Sequence, residues 1–315
     1  MKYLFVMDPA ESINRETDST LLMMHESSER GHHIYYCRVE DLYIKAAASF
    51  ASLRPVQFNN SSGIFCLGEP EDTALSDVDA IFMRKDPPFD MNYVYATQIL
   101  ELASKDTFII NDPKGVRGAN EKLYALNFPG AIPETIVSRD TDRLKSFLEE
   151  VGGEMIIKPL GKCGGEGIFY IKRGDRNINA LLETSTSFGK EFIMGQRYIP
   201  EIKNGDKRII LIDGEPVGAV SRVPQDDEHR GNIHIGGKGF KCDITDRDKE
   251  LCRIIAPRLK EDGLYFVGLD VIGDWITEIN VTSPTCLVEI NNLNNVKIEK
   301  TLIDFVEDRV KNLYK

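Results

Sequence analysis

Residues Val267–Thr285 read V-G-L-D-V-I-G-D-W-I-T-E-I-N-V-T-S-P-T, and this run restricts the local fold more than any other. Two stretches rich in β-branched and aromatic residues, Tyr265–Ile272 and Trp275–Val281, flank Gly273-Asp274, a hairpin signal. Side chains two apart on a strand share a face, so Glu278 and Asn280 point the same way. A carboxylate beside an amide oxygen suits a hard divalent cation that also holds phosphates, Mg²⁺ first. Asp270 joins them or not according to the turn. A two-residue connection puts it on the opposite face, whereas a three-residue loop with Gly273 in the left-handed region brings it alongside. A solvated acidic hairpin is the plainer reading of the same residues.

Upstream, strand signals at Lys2–Met7, His33–Val39, Asp79–Arg84 and Phe108–Asn111 alternate with helical patterns at Asp18–Arg30 and Met91–Lys105. That alternation predicts a parallel, doubly wound α/β sheet. Residues 51–76 read as a polar excursion. No G-x-G-x-x-G follows the first strand, so a dinucleotide fingerprint is missing. Arg84-Lys85-Asp86-Pro87-Pro88 stands just past a strand end, where open α/β sheets bind ligands, and its two cations suit a carboxylate substrate. No apolar run approaches the ~20 residues of a membrane span, and the opening Met1–Met7, broken by Asp8-Pro9, is not a signal peptide. Six scattered cysteines without a C-x-x-C pair predict a cytoplasmic protein with free thiols. A net charge of −11 argues against a general nucleic-acid face.

In the middle of the chain, Met155–Pro159 is a strand carrying Lys158 among aliphatic residues. Burying a lone ammonium is costly, so Lys158 is expected to meet an anion. Gly161, Gly164, Gly165 and Gly167 follow directly and can turn backbone N–H groups onto phosphate oxygens, though this is not a Walker A loop. The strand Glu191–Gln196 ends in Arg197–Pro200, whose backbone suits an adenine edge. Gly205-Asp206-Lys207-Arg208 then leads into Ile209–Ile212, with Asp206 suited to ribose hydroxyls. Taken alone, that cluster is simply a solvated strand start. Thr245 is an N-cap for a helix reaching Glu261, and Lys297–Leu313 is a closing helix.

The order Lys122, Lys158 with its glycine loop, Gly205–Arg208, then Asp270, Glu278 and Asn280 resembles the ATP-grasp ligases. The stretches Met83–Asp90, Asn120–Leu123, Ile157–Leu160, Arg230–Asn232 and Phe266–Cys286 make the chain similar, over nearly its whole length, to the prokaryotic glutathione synthetases. The resemblance implies an N-terminal α/β domain with a parallel sheet at residues 1–121. An α+β ATP-grasp lid subdomain would follow at 122–201, and a catalytic subdomain at 202–315. The implied reaction joins glycine to γ-glutamylcysteine through an acyl phosphate, giving glutathione, ADP and phosphate.

By the same resemblance Lys122 and Lys158 would hold the ATP phosphates, with Gly164, Gly165 and Gly167 as a lid over them. Gln196, Tyr198 and Ile199 would border adenine, Asp206 the ribose, and Asp270, Glu278 and Asn280 would bind Mg²⁺ or Mn²⁺. Arg208, Arg222 and Arg230 would face the acyl phosphate and substrate, making Lys158, Arg208 and Arg230 the catalytic set. Arg84, Ser283 and Thr285 would meet the peptide. The implied partners are small molecules, with no nucleic acid and no membrane, in a cytoplasmic homo-oligomer, a homotetramer by family likeness. The chain departs from the family pattern at Lys162, Cys163, Glu166 and His234, which bear on lid closure and substrate preference. Two rival readings are a ligase of this fold with another amine acceptor and a non-catalytic ATP-binding module.

Overall fold

Apolar on both faces, Lys2–Val6 (β1) can lie only inside a sheet covered on two sides. It does so in the computed structural model, which describes residues 1–59, 65–223 and 238–313. Its sheet also contains His33–Cys37 (β2), Leu42–Lys45 (β3), Ala48–Phe58 (β4), Phe65–Leu67 (β5), Glu71–Ala74 (β6), Ala80–Met83 (β7) and Phe108–Ile110 (β8). The path runs β3-β4-β2-β1-β7-β8. The expected parallel pairs β1–β2, β1–β7 and β7–β8 form its centre. Ser19–Glu29 (α1) is capped by Asp18 and Met91–Glu101 (α2) by Asp90, each carboxylate accepting a first-turn N–H. Pro113–Gly118 (α3) follows β8.

The described part of residues 51–76 corrects the sequence reading. Residues 51–58, 65–67 and 71–74 are strand rather than excursion, because β4 pairs antiparallel with β2, β3, β5 and β6 and makes the sheet mixed. Its inward residues Ser49, Ala51 and Leu53 are mostly small, and the alternation slips at Arg54-Pro55 before Val56 turns inward. That combination hid the period of two.

A second sheet, wholly antiparallel, comprises Thr135–Ser138 (β9), Glu154–Pro159 (β10), Phe169–Lys172 (β11) and Ile193–Arg197 (β12) in the order β11-β10-β12-β9. Thr141–Glu150 (α4) and Ile178–Ser185 (α5) cover it, and Leu144, Phe147, Met155, Ile157, Ile171 and Leu182 belong to a core of its own. The third sheet contains Asp206–Ile212 (β13), Glu215–Val223 (β14), Lys238–Lys241 (β15), Phe266–Ile272 (β16) and Trp275–Asn280 (β17), ordered β15-β14-β13-β16-β17. Asp246–Glu261 (α6), whose N-cap Thr245 forms a capping box with Asp248, packs with it, as do Leu287–Asn294 (α7) and Ile298–Leu313 (α8). Two larger cores run unbroken from the first sheet into the third. Asn111 fastens that junction: its amide donates to the carbonyls of Phe266 (2.7 Å) and Val281 (2.8 Å) and accepts from Phe266 N (2.7 Å).

Candidate active site

The β16–β17 hairpin settles the position of Asp270 in a way neither turn option anticipated. The connection is the two-residue Gly273-Asp274, since Ile272 pairs with Trp275 and Val271 with Ile276. Asp270 nevertheless faces Glu278, because Thr277 is an extra residue at a bulge that inverts the parity. Thr277 Oγ1 donates to the Asp270 carbonyl at 3.3 Å. Gly268 pairs with Asn280, so Asp270, Glu278 and Asn280 share one face, and Asn280 Nδ2 donates to Asp270 Oδ2 at 3.3 Å. Two carboxylates and an amide match the oxygen-donor chemistry of a hard cation. Among the described residues no group of three or more His, Cys, Asp or Glu side chains is placed to hold a metal ion.

Lys122 and Lys158, which a sequence would ordinarily leave at the surface, are 2% and 7% exposed. Their ammonium groups lie 3.8 and 3.9 Å from the same oxygen, Glu278 Oε1. Lys122 Nζ also donates to Glu121 Oε1 (2.5 Å) and to the Lys162 carbonyl (2.7 Å). Lys158 Nζ donates to Gln196 Oε1 (3.1 Å). Burial lowers the Lys158 ammonium below its ordinary value, against the pull of Glu278. For Lys122 burial acts the same way, but Glu278 and Glu121 outweigh it and hold the group above its ordinary value. Glu121 itself is raised by burial and by the nearby Glu278. Its role was missed in the sequence, where only its position beside Lys122 marked it.

Behind these groups lies a buried network of two arginines and two aspartates. Arg208 grips Asp270 in a fork, Nε to Oδ1 at 2.5 Å and Nη2 to Oδ2 at 3.0 Å. Arg222 grips Asp206 likewise, with Nε to Oδ1 at 2.9 Å, and its Nη2 lies 3.0 Å from Asp270 Oδ1. Burial alone would raise the Asp270 carboxyl, but Arg208 and Arg222 bring it down to about 2. For Asp206 burial prevails over Arg222, and its carboxyl is raised. A cation on Asp270 would therefore share that carboxylate with Arg208. Arg230 and His234 lie outside the described residues.

Between the second and third sheets opens a cleft of ≈ 660 Å³ lined by Lys158, Gln196, Tyr198, Ile199, Asp206, Asp270 and Glu278. Gln196 turns its side chain to Lys158 and Thr135, and along the sheet it pairs with Ile156 of β10 on one side and Thr135 of β9 on the other. At the cleft's end the glycine loop rests on Lys122 through Lys162, with Gly164, Gly165 and Gly167 at φ of 65°, 85° and 71°, a region that favours glycine. A second pocket of ≈ 900 Å³ lies where the first and third sheets meet. Arg84, Ser283 and Thr285 line it together with residues between Asp8 and Thr20, among them Asp8, Asn14 and Asp18. Ser283 Oγ donates to the Arg84 carbonyl at 3.3 Å. Cys286, also on its wall, is close enough to Arg208 and Arg222 for their charge to act on its thiol, which burial raises. The two hollows thus approach each other across the arginine network. All six cysteines are free thiols, and no helix among the described residues is long and apolar enough to cross a membrane.

Comparison with known proteins divides the chain into two matched regions. The profile of the prokaryotic glutathione synthetase N-terminal domain matches residues 1–117, and that of the prokaryotic glutathione synthetase ATP-grasp domain matches residues 121–295. The chain is 44% identical to the glutathione synthetase of Synechococcus elongatus over 98% of each chain, and 45% identical to that of Shewanella oneidensis over 98% of this chain and 99% of that one. With the glutathione synthetase of Vibrio cholerae it shares 44% identity over 99% of this chain and 98% of the relative. Among solved structures, D-cycloserine synthetase DcsG superposes with a TM-score of 0.68 at 15% identity, covering 99% of both chains. The RimK domain protein ATP-grasp from Sphaerobacter thermophilus gives 0.63 at 17%, covering 97% of this chain and 99% of that one. At such identities these two show a shared fold.

Proposed function

The chain belongs to the prokaryotic glutathione synthetase family and is an ATP-dependent ligase forming glutathione, and from that premise we propose how its residues divide the work. The observation that carries the assignment is the meeting of Lys122 and Lys158 on Glu278, within 3.9 Å, at the floor of the cleft. Two buried cations and a ring of oxygen donors form a receptacle for a triphosphate and its counter-ion. In this reading Gln196, Tyr198 and Ile199 border adenine, Asp206 lies on the ribose side, and the glycine loop closes over the phosphates. Asp270, Glu278 and Asn280 hold Mg²⁺ or Mn²⁺, which when bound supplies charge neutralisation at the β- and γ-phosphates. The division into residues 1–121, 122–201 and 202–315 is part of the same proposal, supported by one sheet falling in each segment.

A carboxylate resists amide formation because its oxygen leaves poorly. Transfer of the γ-phosphoryl group to the cysteinyl carboxylate of γ-glutamylcysteine makes an acyl phosphate; glycine's amine then attacks the carbonyl carbon, the C–O bond to phosphate breaks, and phosphate leaves. No side chain need act as nucleophile. The protein's share is positioning and charge stabilisation. Lys158, with Arg208 and Arg230, stabilises the transferring group and the tetrahedral intermediate, while Arg222 orders Asp206 and faces the substrate. Arg84, Ser283 and Thr285 hold the dipeptide in the second pocket. Closure of the glycine loop keeps water from the acyl phosphate. We extend the proposal to a cytoplasmic homo-oligomer, a tetramer by family likeness, which light scattering checks.

The test is phosphate release with γ-glutamylcysteine crossed against a panel of amino acids. Glycine should give ADP, phosphate and glutathione in equal amounts. Equal turnover with other amines would replace glycine as the acceptor, and nucleotide binding without ADP formation would favour a binding module.

A further inference from the structure

The ammonium of Lys122 reaches the cleft from a turn, Asn120-Glu121-Lys122, whose fixed points lie on two different sheets. The Glu121 carbonyl accepts from Ile279 N (2.9 Å) on β17, which pins the turn to the edge of the third sheet beside Glu278. Asn120 reaches the other way. Its Oδ1 accepts from Lys122 N (3.1 Å) and Leu123 N (3.0 Å), the pattern of an N-cap. Its Nδ2 donates to the Leu160 carbonyl (3.0 Å). Reversing the amide would set donor against donor and acceptor against acceptor, so the three bonds fix its orientation. Leu160 is the first residue past the last pair of β10, Pro159 with Ile193, and is therefore the root of the glycine loop.

Between its two roots that loop is braced from within. Glu166 N donates to the Cys163 carbonyl (3.2 Å) and Lys162 Nζ to Glu166 Oε1 (2.6 Å), so residues 162–166 hold together as a flap. At the far root Gly167 lies tight against the Pro159 ring. At the near root a Cβ placed on Gly161 would meet nothing within 4 Å, which leaves this permissive backbone free to pivot.

Resting on the reading of the glycine loop as the lid over the ATP phosphates, we propose that Asn120 is a positioning residue for ligation, the post on which that lid hinges. Its amide nitrogen fixes Leu160, so the swing falls on Gly161. Its amide oxygen orders the turn that presents Lys122, whose Nζ holds the flap at the Lys162 carbonyl (2.7 Å). One side chain thus sets both the phosphate-binding ammonium and the hinge of the flap above it. Capping alone does not require asparagine. Aspartate and serine cap about as well, but aspartate carries no donor, and serine's one oxygen cannot face the turn and Leu160 together. Without the donor the root is loose, the flap closes less completely, and water reaches the acyl phosphate.

The test uses the full-length enzyme with Asn120→Asp and Asn120→Ser, which both keep a cap and differ in charge. Phosphate and glutathione are measured together with ATP, γ-glutamylcysteine and glycine saturating. The wild type should yield the two in equal amounts, and both variants should yield less glutathione than phosphate. In the variants kcat for glutathione should fall about 3- to 10-fold while KM for ATP stays within roughly threefold, the scale of one lost neutral hydrogen bond. Melting temperatures should stay parental, and Asn120→Ser alone decides the matter if Asn120→Asp folds poorly. Trypsin cleavage between Lys162 and Cys163, read by mass spectrometry, follows the flap itself. A non-hydrolysable ATP analogue should slow that cut in the wild type and slow it far less in the variants. Equal yields with full protection in both variants overturn the hinge assignment alone. So does an effect confined to Asn120→Asp, which would be one of charge, or a KM for ATP that rises while yields stay equal, which would leave Asn120 a cap for Lys122 only. Absence of protection in the wild type overturns the lid reading, and this assignment with it.

Discussion

Glu278 stands where two buried ammonium groups converge, so its charge matters more than its volume. Glu278→Gln keeps the shape, removes a metal-ligand charge and leaves Lys122 and Lys158 facing each other without their shared anion. Turnover should fall by about 10²–10³-fold, the scale of losing one strong electrostatic contact in an active site, while circular dichroism stays that of the parent. Near-parental phosphate release would remove Glu278 from the site. Lys158 gives a pH prediction. Its folded value is lowered by burial from the ordinary 10.5. Folding therefore disfavours its charged form, a penalty present below the folded value and relieved as pH rises through it. ATP phosphates need that charge. ATP affinity, followed by calorimetry from neutral to alkaline pH, should weaken as pH rises through the lowered value, with proton uptake on binding. Lys158→Met should bind weakly throughout and flatten that profile; an unchanged profile would show that Lys158 does not meet the phosphates.

Single elements differ in how far the sequence exposed them, and the differences have physical causes. β1, β7 and β8 were legible because strands covered on both faces must be apolar throughout. β4 was not, since small inward side chains and the slip at Arg54-Pro55 erase its period. The β16–β17 hairpin was legible as a hairpin, whereas the bulge at Thr277 carries no glycine or proline to announce it. Yet that bulge is what brings Asp270 round to Glu278. The sequence reading takes the glycine run as a phosphate loop, and its backbone now gives a specific expectation. Gly167 has φ 71°, and a Cβ there would lie 2.8 Å from Pro159 Cγ. Gly167→Ala therefore combines a left-handed backbone costing about 1–2 kcal/mol with a clash against a stiff ring. kcat/KM for ATP should drop on the order of tenfold or more, while the melting temperature changes little because the loop is outside the core of the second sheet. A parental kcat/KM would mean that this loop conformation is not the one used in turnover.

At the scale of the whole molecule, the chain behaves as a first and third sheet sharing one interior, with a second sheet attached that has its own core. The cleft proposed for ATP lies along the boundary with the second sheet, and the pocket proposed for the dipeptide along the boundary between the first and third. No local pattern could reveal the second boundary, because its contacts join residues 155 to 200 positions apart, as in Asn111 with Phe266 and Arg84 with Pro284. Asn111 lets the two boundaries be told apart. Asn111→Ala withdraws one donor group from two carbonyls and one acceptor from an amide, all buried, and should cost about 2–4 kcal/mol. Unfolding in urea should therefore shift to lower denaturant with an unchanged slope. The functional damage should be uneven, because Asn111 holds Phe266, whose ring lies 5.5 Å below the Arg84 guanidinium of the pocket proposed for the dipeptide, and is bonded to no residue of the second sheet's core. KM for γ-glutamylcysteine should rise several times more than KM for ATP. Equal increases would mean that the hairpin transmits the loss to both hollows, making the third sheet one rigid unit rather than the wall of two separable sites.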